Sequence, residues 1–383
     1  MNLAVGKSQN ENDLSHHHAF ALFQLYAVII NIPICIFWAG GLERVSAIIA
    51  ETSPLSIFLV AIFSIIWGLG TLLFGIACKV AGVGFGTNLT MGIVAIIGAF
   101  LPLITEKTLF SPFGAIICIG LIICCIGLWL ATKALEQRDS DETLASAQTE
   151  TKEDGVDESQ FPICLESEKE MQELGDKNGQ CNDSNSVKKN DKKVSTEEKE
   201  YSTLQKVLVC FAAGITAVQL QFAFIFGSSI TDLAGGKVDD VDLPGKTPIG
   251  GSSAIIWLFA ISLGAPPSIV NALWFSPVPL SRSIRAPWWR HFRLIATTSL
   301  PWISHIHIYG LSATILFPKS VAASISWPLL MMITNLWALL LSHFLGEWKL
   351  ASQKTMKTFV YSVSVTMLGL LVLMCSVIVP TST

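Results

Sequence analysis

IIWGLGTLLFGIACKVAGVGFGTNLTMGIVAIIGAFLPLITEK, residues 65–107, decides the fold, and it returns in altered form as LPWISHIHIYGLSATILFPKSVAASISWPLLMMITNLWALLLSHFLGEWK, residues 300–349. Each stretch holds two apolar runs of about 20 residues, enough for a helix to cross a hydrocarbon core of about 30 Å. Trp67 and Gly75 stand eight apart, as do Trp302 and Gly310. Beyond a small insertion Met91 answers Met331 and Glu106 answers Glu347, each acid close to a lysine, Lys107 or Lys349. A backbone in lipid must satisfy its own hydrogen bonds, which predicts helices and excludes an open sheet. The preserved order through two helices and a turn marks an internal repeat.

Further apolar spans lie outward from these stretches, giving nine predicted crossings near 19–42, 55–78, 84–105, 112–133, 203–229, 252–276, 291–316, 321–345 and 358–379. Hydrophobic residues make up 51% of the chain and charged ones 14%, with a mean hydropathy of +0.55, values of an all-α, polytopic membrane protein. The expected organisation is a polar tail over 1–18, a first membrane half of four helices over 19–133, a linker over 134–202, and a second half of five helices over 203–379. Of 29 acidic residues, 19 lie between Glu136 and Glu200 with 9 of the 25 Lys and Arg, and the low hydrophobicity from about 139 to 200 predicts disorder. The KKNDKK run ending at Lys193 is expected to balance those acids, with contact to anionic lipid as the alternative. Pro33, Pro266, Pro267, Pro301 and Pro328 fall inside spans and are expected to kink or interrupt them. His16, His17 and His18 are expected in a wet turn before the first span. No cleaved signal peptide is expected. The in-span cysteines suit small apolar packing, with no disulfide frame and no metal site expected.

Loop charge predicts orientation. Lys79, Lys133, Arg138, Lys199, Lys206, Arg282, Arg285, Arg290, Arg293, Lys349, Lys354 and Lys357 fall on one side of a nine-helix serpentine, whereas Glu43, Glu51, Glu106, Asp232, Asp239, Asp240 and Asp242 fall on the other. By the positive-inside rule the N-terminus and linker face the cytoplasm and the C-terminus the opposite side, in a plasma or organelle membrane. Four helices precede the linker and five follow, so the simplest account is that the first of an original ten is absent. Matched helices then run in opposite senses. Such an inverted repeat is a physical basis for alternating access, because each half can adopt the other's conformation.

The stretches WGLGTLLFGIACKVAGVGFG at 67–86, TMGIVAIIGAFLPLI at 90–104, GAPPSIVNALWF at 264–275 and GEWK at 346–349 resemble the L-rhamnose/proton symporter family of the drug/metabolite transporter superfamily. The resemblance touches nearly all spans but not the linker. It implies an inverted-repeat drug/metabolite transporter fold, usually of two five-helix repeats, and transport of a sugar such as L-rhamnose or a related small polar metabolite. A fold kept by a non-transporting scaffold or regulator is the alternative. An enzyme is not expected, nor a cofactor or a nucleic-acid partner, and the absence of GxxxxGK[ST] removes support for ATP-driven pumping.

Polar groups inside spans are expensive unless partnered or facing water, so they are the candidates. Trp302, His305 and Tyr309 share a helix face at i, i+3 and i+7. His305 is the candidate for proton coupling, since imidazole titrates near neutrality. Ser64, Trp67 and Thr71 form a polar-aromatic stripe on the second helix. Asn88, Gln219, Gln221, Asn271 and Asn335 add amides able to bond the hydroxyls of a neutral sugar. Glu106 and Glu347 are expected to be helix-end anchors or a gate. Membrane lipid is the expected surrounding partner.

Overall fold

The computed structural model describes residues 16–153, 201–236, 251–274, 276, 288–316, 319–344 and 346–378. The KKNDKK run and Asp239, Asp240, Asp242, Arg282 and Arg285 lie outside them. The chain divides into one unit formed by residues 1–142 with 201–383 and a second formed by 143–200.

The first half contributes α1 (His16–Trp38), α2 (Leu42–Glu51), α3 (Pro54–Ala81), α4 (Val83–Thr105) and α5 (Pro112–Glu153). The second contributes α6 (Thr203–Ala217), α7 (Gln219–Phe226), α8 (Ser228–Ala234), α9 (Ala254–Gly264), α10 (Pro266–Trp274), α11 (Trp288–Leu311), α12 (Lys319–Phe344) and α13 (Gln353–Cys375). A π-helical turn, Ser312–Leu316, extends α11. Local chemistry sets several ends. Ser53 caps α3 through the Ser56 amide, with Pro54 at the first helical position, where a missing N–H costs nothing. Ser202 and Gln205 form a reciprocal capping box on α6. Gly82, at φ 82°, separates α3 from α4, a backbone state open chiefly to glycine.

Eight of the described helical stretches are long and apolar enough to cross a membrane. The expected span at 291–316 is also helical, but it is not one of the eight: Arg293, His305 and His307 lower its hydropathy. Other expectations need correction. His16 to His18 open α1 instead of a turn, and His18 is buried. Pro33, Pro301 and Pro328 do not interrupt their helices, whereas Pro266 and Pro267 coincide with the expected break, between α9 and α10. The span at 203–229 is divided at Val218 and Gly227. Helix α5 does not end at 133 but runs to Glu153, because Ala, Leu, Glu and Gln there are good helix formers. Ala134 and Leu135 also bury against Trp348 and Phe359.

Matched helices meet. Trp67 of α3 touches Trp302 of α11, α4 packs on α12, and α1 packs on α9 and α10. Helices α5 and α13 approach so closely that a Cβ at Gly127 would collide with Thr366, and one at Gly369 would lie 2.5 Å from the Cys124 sulfur. The packing of α1 on α11 is repeated by that of α9 on α3, so exchanging the halves leaves this contact pattern unchanged.

Candidate functional site

The cross-half junction is built on the two matched tryptophans. Their rings stack at 5.6 Å between centroids and 7° between planes, an offset contact that aromatic quadrupoles favour. Phe23 of α1 meets Trp302 edge-on at 5.6 Å. On the other side, the backbones of Gly68 and Gly264 come so close that a Cβ on Gly68 would overlap the Gly264 carbonyl. Thr71 donates to the Gly68 carbonyl at 2.7 Å and stands 3.5 Å from the Ser268 hydroxyl of α10. Ser64 is fully buried and donates to the Val60 carbonyl of its own helix.

Asn31 and Cys35 of α1 meet His307 of α11 in a buried cluster. The Asn31 amide nitrogen donates to the Trp257 carbonyl at 3.0 Å. A carbonyl only accepts, so Oδ1 is the atom that faces His307 Nε2 at 3.0 Å and the Cys35 thiol at 3.3 Å. Since Oδ1 is itself only an acceptor, Nε2 carries the imidazole hydrogen. Trp38 leans on the His307 ring at 5.2 Å.

Tyr309, one half-turn beyond His307, forms a second cluster. Its hydroxyl donates to Gln221 of α7, and its ring lies 5.1 Å from Phe224, 5.9 Å from Trp257 and 5.2 Å from Trp327. It is 1% exposed. Together these groups gather aromatic planes, amides, hydroxyls and an imidazole.

The expected site residues divide. The junction brings together Trp67, Thr71 and Trp302, with Ser64 buried beside Gly264. Tyr309 belongs to the adjoining cluster. Asn88 and Asn335 are buried on α4 and α12, which pack on each other, and the Asn335 amide nitrogen has no partner among the described residues. Asn271 is half-buried on α10. Gln219 turns back to the Ile215 carbonyl at 2.8 Å, so Gln221 is the α7 amide that joins the aromatic cluster. His305 is half-buried, and its Nε2 has no partner among the described residues; the imidazole bonded across the halves is that of His307.

Asn31, Cys35, His307 and Trp257 are additional members of the two clusters, and Ser268 of the junction. Asn31 carried a usable signal, as an amide inside an otherwise apolar span. Away from the junction, Glu347 pairs with Arg138 of α5 at 3.2 Å, and Arg138 also pairs with Asp139 at 2.7 Å. Asp141 accepts from the Ser352 amide at 2.8 Å and from the Thr355 hydroxyl at 2.7 Å. Glu347 is thus tied to the end of the first half, whereas Glu106 is exposed at the end of α4. Arg44 of α2, buried, donates to the Ala234 carbonyl of α8 at 3.2 Å.

No protein-family model matches the chain, nor does any curated protein or solved structure.

Proposed function

We propose that this protein is a secondary transporter that moves a small neutral polar solute, a sugar such as L-rhamnose or a related metabolite, by alternating access. The observation that carries this reading is the Trp67–Trp302 stack, in which equivalent residues of the two repeat halves face each other amid neutral hydrogen-bonding groups. A surface of this kind suits the apolar face of a sugar ring, while Thr71, Ser268, Asn31 and Gln221 suit its hydroxyls. The repeat and the resemblance to the rhamnose/proton symporters support the same reading.

Proton coupling is assigned to an imidazole of α11. His305 is the choice from its shared face with Trp302 and Tyr309, and His307 from its bond across the halves. Counterflow of labelled neutral sugars in proteoliposomes, with and without a pH gradient, tests the function. Exchange is expected for at least one sugar, and Trp67→Ala should abolish it. A sugar panel that shows no exchange overturns the carrier reading. His305→Ala and His307→Ala then separate the imidazoles: the coupling residue is the one whose loss removes the response to the gradient while exchange persists.

A further inference from the structure

Helix α5 has two unlike faces. One carries Gly120, Gly127 and Cys124 against α13. The other carries Cys118, Leu121, Cys125, Ile126 and Trp129, which with Phe100 of α4 line an apolar groove of about 370 Å³. Cys118 and Cys125 are seven apart and therefore on one stripe. Their small side chains leave the depression between the larger walls. From residue 118 to residue 129 the groove runs about 16 Å at 1.5 Å per residue, roughly half of a hydrocarbon core of about 30 Å. That is the depth of a single leaflet.

The groove has a chemically marked end. Trp129 is 55% exposed, and the ammonium of Lys133, one turn farther, stands 4.1 Å from its ring centroid. A tryptophan with a lysine is the pair that settles at headgroup depth. Among the described residues Lys133 makes no ion pair. Gly84, near the start of α4, lies against Leu135 of α5, so exposed Lys79, just before that start, is at the same end.

We propose that this groove holds an acyl chain of an anionic phospholipid whose headgroup is bound by Lys133. A leaflet-length apolar slot accounts for the chain, and a lysine that makes no ion pair among the described residues accounts for the sign of the headgroup. The site lies on α4 and α5, apart from the cross-half junction, and does not depend on what solute is carried.

The test uses the full chain purified in detergent, with dioleoyl phosphatidylglycerol or dioleoyl phosphatidylcholine added in mixed micelles. The thermal midpoint should rise by several degrees with the anionic lipid and by less than half as much with the zwitterionic one. Lys133→Gln, an exposed change, should bring the two responses level, and native mass spectrometry should show its retained phosphatidylglycerol falling to the level of phosphatidylcholine. Cys125→Phe, which fills the slot, should remove the response to both. Equal responses in the unmodified chain, or a preference kept by Lys133→Gln, overturn the proposal. So does a Cys125→Phe chain that responds as before, or one that changes oligomer size with its lipid response intact, the mark of a face covered by a second copy.

Discussion

The packing of α1 on α11 and that of α3 on α9 and α10 are equivalent under exchange of the halves, yet different chemistry holds them. In the first, His307 of α11 meets Asn31 Oδ1 of α1 at 3.0 Å, while the same amide is also held by Cys35 of its own helix at 3.3 Å and by the Trp257 carbonyl of α9 at 3.0 Å. In the second, two glycine backbones touch and two hydroxyls stand 3.5 Å apart, one of them already bonded within its own helix. The repeat therefore preserves where helices run but not what fastens them. Separating the first joint strands the buried His307 imidazole, at about 1–3 kcal/mol for a buried group left unsatisfied. Separating the second loses the long Thr71–Ser268 approach. Under the proposed alternating access, the first joint is a latch and the second a sliding contact, and the two openings should differ in ease.

The largest expected effect breaks the sliding joint by steric means. Gly68→Val places a branched side chain where the Gly264 backbone already lies, and neither backbone can yield as a flexible side chain would. A loss of about 3 kcal/mol, the upper end for overpacking, should appear as a lowered thermal midpoint in detergent. A variant as stable as the parent would mean that the joint is not close-packed.

Next comes the latch. His307→Ala should cost about 2 kcal/mol, because Asn31 and Cys35 lose their partner on α11. Adding Asn31→Ala to it should cost much less than Asn31→Ala alone, since residues in one hydrogen-bond network are not additive. Additive losses in denaturation midpoints would show that the two side chains are not coupled.

The difference between the joints also explains what the sequence revealed. Apolar runs of membrane length are visible in any window, and so the helical membrane architecture was legible, and the two tryptophans singled out by their spacing, Trp67 and Trp302, stack on each other. Helix α2 was not: its ten residues are too few and too mixed, and its anchor is Arg44 on the distant Ala234 carbonyl. The extension of α5 looked like linker because its charge is high, while Ala134 and Leu135, which bury under Trp348, are ordinary residues out of context. The clearest case is the pair of imidazoles on α11. Helical spacing places His305 with Trp302 and Tyr309, but α11 is packed on several sides, so spacing alone cannot say which face carries a bond to the other half. His307 is identified by Asn31, 276 residues away, and no local pattern encodes that meeting.

The smallest effect is the sharpest test of the comparison. Thr71→Val removes a hydroxyl whose bond is to its own helix and whose approach to Ser268, at 3.5 Å, is at the outer limit of a hydrogen bond. The loss should stay under about 0.5 kcal/mol, at the floor of a net neutral hydrogen bond, and well below that of His307→Ala in the same unfolding assay. If the two variants lose equal stability, the joints are fastened alike, and the difference between amide and hydroxyl contacts has no mechanical consequence. If Thr71→Val is near silent while His307→Ala is not, the proposed alternating access would open first at α3 and α9, because the polar contact across that joint is the long Thr71–Ser268 approach at 3.5 Å.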